Sequence, residues 1–270
     1  MKRALRFNRL SKFLTSLIAI STLVACDNPP AIKSLNQTEI ADQNAAIAEA
    51  KLSQRFTENA AAHWLTSNKF AISPLIDANR FELRSIDVNQ NVRQIALNPT
   101  RLDTRLKTQF PHLAQFSGLS FDKKIKNPDE LKNLLKNANS ILLYKDEQLV
   151  GESKIQQAAV IDHLFANGPA GAANVDDFGA TVQTDAVQFK LWAPTAIAVD
   201  LLLFDDNKQS LEQAVSLAEQ NNGVWSTTTD KATAGSYYRY RVQVFHPRTN
   251  TFETLEVTDP YSLSLSTNSK

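Results

Sequence analysis

The sequence predicts a mainly β protein: two β-sandwich-like domains, the second immunoglobulin-like, preceded by a signal peptide and a short helix. Three observations predict it. Between residues 179 and 262, apolar residues alternate with polar ones in short runs separated by turn residues, the pattern of half-buried strands. Between residues 166 and 180 stand Gly168, Pro169, Gly171 and Gly179, in a chain that has only seven glycines, and such a cluster marks a domain boundary. At the amino terminus, a cationic stretch is followed by a short apolar run.

That first segment comprises residues 1–25. Lys2, Arg3, Arg6 and Arg9 carry no acid among them and precede the apolar run from Phe13 to Ala25, the layout of a secretory signal peptide. The run is too short and too interrupted by Ser and Thr to serve as a retained span, which needs ~20 predominantly apolar residues. Its end, Leu23-Val24-Ala25-Cys26, resembles the bacterial lipobox. The resemblance implies cleavage before Cys26, acylation of its thiol and attachment to a membrane, at the cell surface or the periplasmic face. Cys26 is the only cysteine, so no disulfide framework is expected. Loss of residues 1–25 removes five of the 29 Lys/Arg and no acid, leaving 24 cations against 28 anions, a balance of −4. A mildly acidic chain without a cationic stripe is not expected to bind nucleic acid.

Residues 26–37, with Pro29 and Pro30, read as a tether. The first domain spans 38–165 and opens on a helix over Thr38–Ala62, whose Ala45, Ala48, Leu52, Phe56 and Ala60 are spaced to form one apolar face. Strand-like runs follow. Phe81–Val88 and Val92–Leu97 flank the polar break Asn89-Gln90-Asn91, a hairpin signature. One helix interrupts them. Asn127 suits the cap, Pro128 the first helical position, and Asp129 and Glu130 the positive end of the dipole, with Leu131, Leu134, Leu135 and Ala138 as the buried face. A second hairpin is expected from Ile141-Leu142-Leu143-Tyr144 across Lys145-Asp146-Glu147 to Leu149-Val150.

After a linker over 166–178, the second domain occupies 179–262. Val187, Phe189 and Leu191 alternate with Gln188 and Lys190. Val199, Leu201 and Leu203 form a second series, and Tyr238, Tyr240, Val242 and Val244 a third that alternates with Arg239, Arg241 and Gln243. Each series has one buried face, and the turns between them, such as Asp205-Asp206-Asn207 and Asn221-Asn222-Gly223, are spaced as in a β-sandwich.

The string Phe189-Lys190-Leu191-Trp192-Ala193-Pro194-Thr195-Ala196, then Gly223-Val224-Trp225, Gly235-Ser236-Tyr237-Tyr238-Arg239-Tyr240 and Val257-Thr258-Asp259-Pro260-Tyr261, resembles a family 48 carbohydrate-binding module. Upstream, Ala62-His63-Trp64-Leu65 and Phe110-Pro111-His112-Leu113 resemble signatures of the extra amino-terminal β domain of secreted pullulanases, enzymes of glycoside hydrolase family 13. Residues 263–270 resemble the start of the connector to the catalytic barrel of that family. A (β/α)8 barrel takes ~250 residues, and the 245 residues from Cys26 to Lys270 are occupied by β structure, so the barrel is expected to be absent from this stretch. The resemblance therefore implies a non-catalytic amino-terminal portion of a debranching enzyme for α-1,6-glucosidic bonds. The alternative is a free-standing surface lipoprotein that captures polysaccharide for another enzyme.

The side-chain chemistry accords with a non-catalytic reading. Retaining glycosidases need two carboxyl groups facing each other across the scissile bond, whereas Asp176-Asp177 and Asp205-Asp206 are adjacent residues in turns and are expected to be solvated. His63, His112, His163 and His246 have no metal-ligand spacing, no glycine-rich phosphate loop is present, and no cofactor is expected. Sugar binding remains. Trp192, Trp225 and Tyr237 are the candidates for stacking on the apolar face of an α-glucan ring, although large aromatics in sandwiches also serve as core or interface residues.

Overall fold

The computed structural model describes residues 32–53, 61–211 and 213–265, without the side chains of 49–53. Residues 1–25, Cys26 and the rest of the tether up to residue 31, Phe56, Ala60 and the connector residues 266–270 lie outside that description, as does the side chain of Leu52. No described helix is long and apolar enough to cross a membrane.

The first domain contains β1 (Lys33–Ser34), α1 (Gln37–Ser53), β2 (Ala62–Thr66), β3 (Lys69–Ile72), β4 (Arg80–Ile86), β5 (Val92–Thr100), α2 (Thr104–Gln109), β6 (Ser117–Phe121), α3 (Pro128–Leu135), β7 (Ala138–Lys145), β8 (Gln148–Gln156) and α4 (Ala158–Ile161). Its strands run in the order β1-β5-β4-β7-β8-β2-β3-β6, and β6 pairs again with β5, so the sheet closes on itself into a barrel. Closure leaves no free edge among the seven strands of the ring. One pairing in the ring, β2 with β8, is parallel.

Local signals account for the hairpins and for α3. Asp87 Oδ1 accepts from the backbone N–H groups of Asn89 and Asn91, closing the β4–β5 turn with Gln90 at positive φ. In the β7–β8 turn Asp146 and Glu147 both have positive φ, the type I′ geometry that matches strand twist. Asn127 caps α3 by accepting from Asp129 N at 2.9 Å, and Leu131, Leu134 and Leu135 are buried. Ala138 belongs to β7, because the helix stops at Leu135.

The barrel interior is built round Trp64 and Phe70, which stack at 4.7 Å and receive Phe121 edge-on at 5.8 and 5.2 Å. Outside the barrel, Leu65 and Ala71 are covered by Leu102, Leu106 and Leu113. Thus Phe110-Pro111-His112-Leu113 closes over the outer side of Ala62-His63-Trp64-Leu65. Helix α1 departs from expectation: Ala45 and Ala48 are exposed, and Ile47 is the buried residue. The helix is oriented by Arg84, a buried guanidinium on β4 that donates to Gln43 Oε1 at 2.9 Å and Asn44 Oδ1 at 2.6 Å. Satisfying that buried charge outweighs burying two alanine methyl groups.

The second domain contains β9 (Gly179–Val182), β10 (Val187–Trp192), β11 (Ala196–Phe204), β12 (Val215–Ser216), β13 (Ala218–Glu219), β14 (Val224–Thr229), β15 (Tyr237–His246) and β16 (Thr251–Val257). Two antiparallel sheets, β13-β14-β10-β9 and β12-β11-β15-β16, form the expected sandwich. Between β12 and β13 the chain crosses from one sheet to the other at the buried Leu217. Val187, Phe189, Leu191, Val199, Leu201 and Leu203 meet in the core, as their alternation requires.

Tyr240 lies at the centre of this core with 0% exposure, and its hydroxyl finds no partner among the described residues. An unsatisfied buried hydroxyl keeps its desolvation penalty. Tyr240→Phe is therefore expected to stabilise the sandwich by about 1 kcal/mol, read as a higher urea midpoint with an unchanged slope. A lower midpoint would show that the hydroxyl is bonded.

The two domains meet at a built seam. On α3, Lys132 Nζ donates to Asn221 O at 2.5 Å, and Lys136 pairs with Glu219 at 2.5 Å while lying 5.5 Å above the Trp225 ring. Phe165, from the first core, lies beneath Gly223 of the β13–β14 turn.

Candidate functional site

The three aromatic candidates have three different fates. Trp192 has the opposite phase to Val187, Phe189 and Leu191 and points out of the sandwich, but outward here means into the first domain. Its ring packs on the first domain's core, and its Nε1 donates to Asn222 O at 3.2 Å. Trp225 pairs across strands with Leu191 and shares its inward face. It is 6% exposed, and its Nε1 donates to Ala193 O at 2.9 Å. Trp225 is thus a core residue, and Trp192 is a half-buried residue of the interdomain seam. Tyr237 remains, with 39% of its surface exposed.

Tyr237 opens β15 directly after the turn at Thr233–Ser236, which Gly235 completes at φ +91°. It stands opposite Phe204, the last residue of β11. The Asp205-Asp206-Asn207-Lys208 turn, held by Asp205 Oδ1 accepting from Gln209 N, brings Lys208 Nζ to 5.9 Å above the Tyr237 ring. Arg239 follows two residues later on the same face. With Ser264 and Leu265 these residues line a groove of about 300 Å³.

The floor of the groove is held by Asp259. This carboxylate is 3% exposed, accepts the Tyr238 hydroxyl at 2.5 Å and accepts Tyr261 N at 2.9 Å. Burial, then the hydrogen bond to Asp259 and its charge, push the Tyr238 phenol above its ordinary range, so it stays a neutral donor. Tyr261 in turn stacks on Phe178 at 4.7 Å and ties the end of the sandwich to its beginning.

An exposed ring flanked by ammonium, guanidinium and hydroxyl groups suits a neutral polyol, whose C–H face is apolar and whose hydroxyls seek donors and acceptors. Among the described residues Asp259 is the one carboxylate lining the groove, and it is buried and doubly engaged, whereas glycoside hydrolysis needs two carboxyl groups across the bond. Asp177 bonds Lys190 at 2.5 Å and Asp205 closes its own turn, so one member of each adjacent acid pair has a structural role, and Asp176 and Asp206 are exposed.

The histidines of the two upstream motifs do meet. His63 and His112 lie edge to face with ring centroids 6.0 Å apart, and Phe116 lies 5.7 Å from His63. Burial, and then the neighbouring His112, lower the pKa of His63, which makes it a packed neutral ring. Among the described residues no three His, Cys, Asp or Glu side chains gather as metal ligands.

Lys208, Arg239 and Phe204 were not read from the sequence as site residues. Arg239 could have been found from its place two residues after Tyr237 in an alternating strand. Lys208 could not, because its position depends on how the turn after β11 folds back over β15.

Comparison with known proteins gives two family matches. Residues 177–262 match Carbohydrate-binding module 48 (Isoamylase N-terminal domain), and residues 59–163 match the Pullulanase N2 domain. Among curated proteins, pullulanase from Klebsiella pneumoniae is 33% identical over 178 residues, covering 66% of this chain and 16% of that protein. The chloroplastic pullulanase 1 of Arabidopsis thaliana is 30% identical over 160 residues, covering 58% and 15%. Crystal structures of Klebsiella pneumoniae pullulanase, ligand-free and complexed with maltotriose, superpose with a TM-score of 0.65 at 26% identity. Each covers 75% of this chain and 22% and 20%, respectively, of theirs. The chain thus spans about one sixth of the length of the curated relatives it matches. With an N2 domain followed by a family 48 carbohydrate-binding module, in the order and the fold seen in those enzymes, the chain belongs with the amino-terminal region of pullulanases.

Proposed function

We propose that this chain is the non-catalytic amino-terminal portion of a pullulanase-type enzyme that debranches α-1,6-linked glucans such as pullulan, starch or glycogen. Its module contacts α-glucan weakly through the Tyr237 groove, and the N2 barrel sets the module's orientation through the seam at Trp192, Lys136 and Gly223. Acylated Cys26 holds the unit on a membrane at the surface or the periplasmic face.

The observation that carries the reading is the groove: the exposed Tyr237 ring, with Lys208 above it and Arg239 beside it, over a floor held by buried Asp259. Supporting it, a related pullulanase crystallises with maltotriose. The test is native electrophoresis of the chain from residue 26 onward through gels with and without amylopectin. Retardation by the polysaccharide is expected, and Tyr237→Ala should weaken apparent affinity roughly five- to tenfold. Equal mobility in both gels, or retardation that Tyr237→Ala leaves unchanged, would remove the groove from the proposal.

A further inference from the structure

Two asparagines in the chain are followed by glycine, Asn167 before Gly168 and Asn222 before Gly223. Glycine has no Cβ to shield its amide nitrogen, so in such pairs that nitrogen can attack the preceding side-chain amide. The structure places the two pairs in opposite surroundings.

At the second pair every reacting group is held. Gly223 N donates to Gln220 O at 3.1 Å, Asn222 Oδ1 accepts from Val224 N at 3.3 Å, and Asn222 O accepts from Trp192. Gly223 is also wedged against Pro194 and Phe165 in the seam. At the first pair the loop is pinned but the reacting groups are free. Asn167 N donates to Asp162 O at 3.0 Å, and Gly168 O accepts from Gly171 N at 3.0 Å and Asn174 Nδ2 at 2.8 Å. Among the described residues, neither the Asn167 side chain nor Gly168 N makes a hydrogen bond. Both residues are exposed, and nothing lies within 4 Å of the position of a Cβ on Gly168. Asn167 has ψ 159°, so Gly168 N reaches its Cγ only by rotation about that bond, and the space round Gly168 Cα is open.

We propose that Asn167 is a site of spontaneous deamidation in the linker between the two domains. Gly168 N loses its proton to solvent base and bonds to Asn167 Cγ. The Cγ–Nδ2 bond breaks, ammonia leaves, and a five-membered succinimide remains. Water then opens either carbonyl to give aspartate or isoaspartate, the latter with an extra methylene in the main chain. The new carboxylate sits at the carboxyl-terminal end of the Asp162–Ala166 turn, where a helix dipole disfavours negative charge. It lies two residues from Phe165, which packs in the seam. Ageing would therefore add charge and backbone length where the module joins the barrel.

The experiment incubates the purified chain from residue 26 onward at mildly alkaline pH and follows both peptides by mass spectrometry, with isoaspartate labelling by a protein methyltransferase. Conversion at Asn167 is expected roughly tenfold or more faster than at Asn222, because reaction at the seam waits for local opening. Asn167→Gln should remove the labelled peptide, and Gly168→Ala should slow its appearance. Absence of conversion at Asn167, or conversion at Asn222 at an equal or greater rate, would overturn the proposal.

Discussion

Replacing Trp64 by alanine is expected to cost the first domain about 4 kcal/mol, near the middle of the range for deleting a fully buried large aromatic. Trp64 has 0% exposure, stacks on Phe70 and receives Phe121 edge-on, so its removal opens a cavity that both rings line. Its indole Nε1 also donates to Thr66 O at 2.8 Å, across the register shift in β2, and that carbonyl loses its donor. Seven strands close round this one interior, so the loss should appear as a single cooperative shift in thermal unfolding rather than as fraying of β2. Trp64→Phe should recover much of the loss by refilling the space. A change under about 1 kcal/mol for Trp64→Ala, the range of ordinary surface substitutions, would show that the aromatic cluster is not what holds the barrel.

Gly223→Ala is expected to cost about 2–4 kcal/mol, combining a strained backbone with overpacking. Gly223 has φ +73°, and a Cβ there would lie 2.6 Å from Pro194 Cβ, 2.8 Å from Pro194 Cα and 2.9 Å from Phe165 Cδ1. Pro194 belongs to the module and Phe165 to the first domain, so the added methyl group pushes the two apart. The control is Gly235→Ala. Gly235 has a similar φ of +91° but nothing within 4 Å, so only the backbone penalty of about 1 kcal/mol is expected there. Limited proteolysis within 166–178, with denaturant unfolding of each variant, checks the contrast. Faster cleavage in Gly223→Ala alone is the expected result. Equal behaviour of the two variants would show that the seam does not couple the domains.

Much of the first domain was legible because its signals are local. The cap of α3 was readable because Asn127, Pro128 and the leucine spacing act within two turns of chain. The β7–β8 hairpin was readable from two apolar runs separated by a short polar break. Helices α2 and α4 were not. With six and four residues they are too short to be stable alone, and they exist because Leu106 and Val160 find cover in the folded domain. The alanine face of α1 misled because spacing reports which residues could share a surface. Which surface is buried was decided by Arg84, forty residues away.

The candidate site divides along the same line. The sequence by itself determined the sandwich, the core faces of β10 and β11 and the outward phase of Trp192, since strand periodicity and turn chemistry are properties of neighbouring residues. It also carried the family, through motifs whose order survives in the chain. Only the tertiary structure decided that the barrel closes through β5–β6 and the parallel β2–β8 pairing, that Trp192 faces the first domain rather than solvent, and that Lys208 and Arg239 join Tyr237 round one groove. The physical reason is that periodicity establishes the side of a strand on which a residue lies, whereas what occupies that side is set by contacts between residues far apart in sequence.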